Sequence, residues 1–100
     1  MAITSEVSDD SKRLTISISG RFDFSAHKAF RDSYEAFKDA EGFTVDLREA
    51  NYLDSSALGM LLLLRDHAGG DHGSVEIVNC SADVRKILTI SNFDQLFTIH

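Results

Sequence analysis

The stretch Asn51-Tyr52-Leu53-Asp54-Ser55-Ser56-Ala57-Leu58-Gly59 decides how this chain is read. Asp-Ser-Ser favours a helix start, because short oxygen-bearing side chains accept hydrogen bonds from the free N–H groups of a first turn. Leu58, Met60, Leu61, Leu62, Leu63 and Leu64 then follow almost without a polar break, which predicts a helix over residues 54–65. A helix apolar on all sides is expected to be buried, here between a sheet and another helix. A carboxylate and two hydroxyls therefore stand at the positive end of that helix, where unpaired N–H groups can accept a phosphate carried by a serine. Simple capping accounts for the same three residues, and the residues by themselves leave both readings open.

Working outward, residues 43–47 read as a central strand with Phe43, Val45 and Leu47 on one face and Asp46 on the other. Downstream, Gly69, Gly70 and Gly73 mark the helix exit, and residues 75–80 return as a strand with Val75, Ile77 and its 78–80 end buried. Strand, helix and strand make a right-handed crossover, so these two strands run parallel. A last helix is expected over residues 82–90, with Val84, Ile87, Leu88 and Ser91 inward, and a short strand over residues 97–99.

Toward the N-terminus, Ile3, Ser5 and Val7 alternate, as do Leu14, Ile16 and Ile18, giving two strands joined by a turn at residues 8–12. This hairpin is antiparallel, so the sheet is mixed. After Gly20 the period changes. Ser25 is the expected N-cap of a helix reaching toward Gly42, with Ala26, Ala29, Phe30, Ser33 and Phe37 inward and Tyr34 counted with Phe30 and Phe37 as core, toward the helix rim. The fold class is thus α/β, a mixed β-sheet flanked by helices, in one domain spanning residues 1–100.

Composition narrows the function. Ten Lys or Arg against sixteen Asp or Glu leave a net charge of −6 over 100 residues, which disfavours nucleic acid and anionic membrane as partners. Residues 1–30 hold no apolar stretch of signal-peptide length, and the run 57–64 is far short of the ~20 residues that span a bilayer. The single Cys80 excludes an intrachain disulfide and a cysteine-based zinc site, and is expected to act as a small hydrophobe. A cytosolic compartment is the expectation.

In open sheets, ligands and partners meet the loops at the carboxyl ends of parallel strands. Residues 20–25, 51–56 and 79–82 qualify, which places Asp23, Asp54, Ser55 and Ser81 on one edge of the domain. This order of elements, together with Ile18-Ser19-Gly20-Arg21-Phe22-Asp23, Val45-Asp46-Leu47, Leu53-Asp54-Ser55-Ser56-Ala57-Leu58-Gly59 and Val84-Arg85-Lys86-Ile87-Leu88, resembles the STAS domain. It is most similar to the stand-alone anti-sigma-factor antagonists of bacteria, and the resemblance covers nearly the whole chain.

The resemblance implies phosphorylation of Ser55 by a partner that is both anti-sigma factor and serine kinase, with reversal by a serine phosphatase. It implies a partner-binding edge of Asp23, Asp54, Ser55, Ser56, Ala57 and Ser81. Asp23 matches an acidic position near the phosphorylated serine, and capping of the first helix explains it equally well. The family usually carries Gly where this chain has Ala57. A domain with no cofactor, no metal and no catalysis of its own, monomeric when free, is the expectation. A STAS domain that binds a small ligand or serves as a structural subunit of a larger complex is the alternative.

Two further chemistries find little support in the residues. His67 and His72, with Asp66 and Asp71, surround a Gly-rich loop with no zinc-like spacing and read as solvated loop histidines. A Ser-His-Asp hydrolase would use Ser55, but Asp54 adjoins it in sequence, no histidine is expected in the loops of that edge, and Gly-x-Ser-x-Gly is absent.

Overall fold

The computed structural model describes residues 2–9, 12–37, 40–70 and 74–100. Alternation in the hairpin builds β1 (Ala2–Val7) and β2 (Arg13–Phe22), paired antiparallel with Ile3 opposite Ile18 and Val7 opposite Leu14. Ile3 and Val7 are half-buried against the core while Ser5 is exposed. Strand β3 (Gly42–Asp46) joins β2 in parallel, and β5 (Val75–Val78) joins β3 in parallel, as the crossover requires. Strand β6 (Thr98–Ile99) adds to β5 in parallel, anchored by the buried Phe97. The expected turn at residues 8–12 includes two residues outside the described set.

Strand β4 (Ala50–Leu53) falls where a loop was expected. Only its ends, Ala50 and Leu53, are buried, while Asn51 and Tyr52 are exposed, so four residues offer too little alternation to betray a strand. It pairs in parallel with the end of β2, beyond the stretch of β2 that β3 occupies.

One face of the sheet is apolar and carries the helices. Leu14, Ile16, Ile18, Phe43, Val45, Val75 and Ile77 are buried there, and each such side chain removed from water stabilises the fold by roughly 1.5 to 3 kcal/mol. The alternate positions Thr15, Ser17, Thr44, Asp46 and Glu76 are half-buried and polar.

The first helix differs from expectation at both ends. A 3-10 turn (Phe24–Ala26) leads into α1 (His27–Glu35), and the turn is capped by Asp23 instead of Ser25. Ala26, Phe30 and Tyr34, at i, i+4 and i+8, form its buried face, and Tyr34 lies in the core with 4% exposure. Ala29 is exposed, and Phe37 lies past the helix end and is also exposed.

Helix α2 (Ser55–His67) buries Ala57, Met60, Leu61 and Leu64, but Leu62 and Leu63 face outward, 38% and 51% exposed. The unbroken leucine run conceals an ordinary one-sided helix. Helix α3 (Ala82–Ile90) packs Val84 and Leu88 inward, as periodicity predicts. The expected strand stops at Val78, and residues 78–80 are not buried as expected: Val78 and Cys80 are half-buried, and Asn79 is exposed with φ 60°. His67 ends α2 with its ring 4.9 Å from Tyr34 and 5.8 Å from Phe43, so it packs on two rings and is no free loop residue. His72, Asp71 and Gly73 lie outside the described residues.

Gly20 marks the point where β2 shifts register onto β4, and its φ of 82° belongs to the left-handed region that side chains with a Cβ avoid. Gly20→Ala is expected to lower stability by about 1 to 2 kcal/mol. Urea unfolding measures it, and an unchanged midpoint would show that the shift tolerates a Cβ.

Candidate functional site

The site follows from one parallel pair. Phe22 is in register with Leu53, both are buried, and each is followed by an aspartate in extended backbone, Asp23 at φ −132° and Asp54 at φ −118°. Each aspartate then opens a helical segment. Asp23 Oδ1 accepts from Ser25 N–H at 3.0 Å and from the Ser25 hydroxyl. Asp54 Oδ1 accepts from Ala57 N–H at 3.0 Å. The turns Phe22-Asp23-Phe24-Ser25 and Leu53-Asp54-Ser55-Ser56 therefore stand side by side, and the helices they start, α1 and α2, pack against each other.

This brings Asp23, Asp54 and Ser55 together, as expected. Ser55 is the first residue of α2 and is exposed, whereas Ser56 is half-buried. Ala57 does not present its side chain: it has 0% exposure, its methyl group fills the core, and it contributes to the turn through its N–H alone. Ser81 caps α3 on the same edge but after β5, one strand beyond β3, and its hydroxyl oxygen accepts from Val84 N–H at 3.2 Å. Asp46 braces that part of the edge, accepting from Arg48 N–H at 2.9 Å and Asn79 Nδ2 at 3.3 Å.

Three residues at this edge were not anticipated. Arg21 lies 3.5 Å from Asp23 Oδ2 and 4.0 Å above the centre of the Tyr52 ring, its register neighbour on β4. The edge is therefore less negative than its carboxylates alone suggest. Phe24, between Asp23 and Ser25, is 70% exposed and stacks on His27, ring centres 5.6 Å apart and 11° from parallel. The three loops of the edge hold no histidine, as expected, but His27, the first residue of α1, stands next to them. Asp54, which a hydrolase would need on its histidine, holds the Ala57 N–H instead. The alternation of β2 places Arg21 outward, but nothing in the sequence marks Phe24 as exposed.

The Ser25 hydroxyl, then the Ser25 N–H, and to a smaller extent Arg21 hold the Asp23 carboxyl below its ordinary 3.8 against the opposing effect of desolvation. Asp23 is thus a carboxylate fixed in place.

Comparison with known proteins agrees with this geometry. The family model described as "Mlab, STAS domain" matches residues 5–98. A STAS-domain containing protein of Pseudomonas aeruginosa (strain UCBPP-PA14) is 62% identical over 100 residues, covering 99% of both chains. The chain belongs to the STAS family. Its fold is shared with an anti-sigma factor antagonist from Mycobacterium paratuberculosis, at TM-score 0.80 and 22% identity, over 99% of this chain and 86% of that one. The unphosphorylated anti-sigma factor antagonist SpoIIAA superposes at TM-score 0.78 and 18% identity over 99% of this chain and 87% of that one, and a phosphorylated form from Bacillus at 0.76. Among the described residues no helix is long and apolar enough to cross a membrane.

A carboxyl whose folded value is depressed adds stability above its unfolded value, and that contribution is lost as the pH falls through the folded value. In Ser25→Ala the Asp23 carboxyl should return toward 3.8, which removes this contribution at neutral pH and flattens the loss of stability below pH 3.8. Carboxyl-carbon NMR titration reads the shift directly. An unmoved Asp23 titration would contradict the assignment of Ser25 as its main partner.

Proposed function

We propose that this chain is an anti-sigma-factor antagonist, a protein-binding switch controlled by phosphorylation of Ser55. Unphosphorylated, it binds an anti-sigma factor that is also a serine kinase and so frees the sigma factor; phosphorylated, it lets go until a serine phosphatase restores it. It acts in the cytosol as a monomer, without metal, cofactor or catalysis of its own. The observation that carries the reading is the exposed Ser55 directly after the capping Asp54, at the start of α2. The shared fold with a protein solved in both phosphorylated and unphosphorylated forms supports it.

The physics of such a switch is local. A phosphate adds roughly −1.5 to −2 charge beside Asp54 in a chain of net charge −6. In the free domain water and the helix N-terminus offset that charge. In a tight interface the same group meets desolvation and like-charge repulsion. Asp23 and Asp54 then steer the encounter with a basic rim around the partner's nucleotide site. Ser56, Ala57 and Ser81 complete the edge, Ala57 through its backbone. The ligand-binding alternative would want an apolar cavity lined by the sheet. The groove of about 300 Å³ on the sheet is open and lined by Ile18 together with the polar Thr4, Ser17, Ser19, Asp46, Arg48 and Glu49.

Phosphopeptide mapping of protein from its native host should find phosphate on Ser55; phosphate on Ser56 alone, or on neither serine, contradicts the switch. With the partner captured and purified, Ser55→Ala should bind like wild type. Ser55→Asp should bind about 5- to 150-fold more weakly, the equivalent of about 1 to 3 kcal/mol, with little change in melting temperature. Equal affinity of the two variants by titration calorimetry would end the mechanism.

A further inference from the structure

We propose that the surface receiving the protein that acts on Ser55 has two further fixed points, the raised ring of Phe24 and the side-chain-free patch at Gly59. The occupant is a kinase domain with an apolar pocket beside its phosphoryl-transfer site. This rests on the reading of Ser55 as phosphoacceptor.

Phe24 and Ser55 occupy equivalent positions in the twin turns, each two residues past the Phe22 and Leu53 pair. A surface that closes over the Ser55 hydroxyl therefore meets the Phe24 ring. That ring is 70% exposed and already ordered: Asp23 grips Ser25 on one side of it, and His27 stacks on it at 5.6 Å. An exposed aromatic held in one place loses little further freedom on binding, which is the property of an interface anchor. Single exposed apolar residues are common, and Ile90, 71% exposed at the far end of α3, is one. Place, not area, separates Phe24 from it.

Gly59 lies one helical turn beyond Ser55 on the same exposed face of α2. Glycine inside a helix lowers stability relative to alanine, and a Cβ at this position would meet nothing within 4 Å. The fold has no steric need of this glycine. A partner backbone lying close over the first two turns of α2 supplies that need. The carboxylates of Asp23 and Asp54 in the same turns call for basic groups on the same partner.

The test uses the full chain, ATP and soluble extract of the native cell as the kinase source. It reads phosphate on the Ser55 peptide by mass spectrometry, with a thermal melt of each variant. Phe24→Ala should be phosphorylated about tenfold or more slowly with an unchanged melt. Phe24→Tyr, which keeps the ring, should stay near wild type, and Ile90→Ala should be indistinguishable from it. Gly59→Ala should raise the melting temperature by about 4 to 8 °C and still slow phosphorylation several-fold. No structural role for this glycine produces that opposition. Wild-type rates in both Phe24→Ala and Gly59→Ala would overturn the footprint and leave the Ser55 reading standing. A lowered melt in either variant would also overturn it, since the fold would then need the residue. No phosphate on Ser55 of the wild-type chain would overturn both.

Discussion

The parallel pairing of Phe22 with Leu53 is the constraint on which the rest of the edge depends. Strands in register lie about 4.8 Å apart, so whatever follows one residue of the pair is a neighbour of whatever follows the other. Both side chains are buried, and the apolar area they remove from water far outweighs any single hydrogen bond in the solvent-facing turns beyond them. The core therefore fixes where Asp23 and Asp54 emerge, and the capping bonds only orient what is already placed. β2 reaches β4 because Gly20 accepts a left-handed φ at the point where the strand stops following β3.

Charge follows the dipole of α2 at its N-terminal end, where Asp54 is the cap, while Arg65 and Asp66 offset each other in the last turn. Neither end needs a buried charge: the side chains that hold the helix in place are Ala57, Met60, Leu61 and Leu64. A change of charge at Ser55 thus acts on a part of the molecule that the core does not depend on. Arg21, held between Asp23 and the Tyr52 ring, offsets part of the carboxylate charge of the neighbouring turn.

What the sequence makes legible follows from how each element is stabilised. β1, β2, β3, β5 and α3 bury one face against one core, so their periodicity is plain. β4 is missed because its two middle residues are both exposed and its order comes from β2, a tertiary source. The end of α1 is overestimated because Phe37 fits the helical spacing of apolar residues yet lies outside the helix. The outward face of α2 is hidden because Leu62 and Leu63 are as apolar as the residues they flank. At the site, Asp54 and Ser55 are legible through capping chemistry, which is local. Phe24 and Arg21 are not, because exposure and a cross-strand cation-π contact depend on neighbours distant in sequence.

The contrast between Ser55 and Ser56 bears on where the proposed phosphorylation would act. Ser55 begins the helix in water, and Ser56, one residue on, is half-buried. A phosphate on Ser56 would have to draw its residue out of contact and strain the first turn, so its cost would fall on folding. A phosphate on Ser55 displaces only solvent and lies beside Asp54, whose carboxylate is already held by the Ala57 N–H. Repulsion between the two charges is weak while water surrounds them and grows as water is excluded. On the proposed reading the penalty would therefore arise when another surface closes over the edge, and would fall on association and not on the fold.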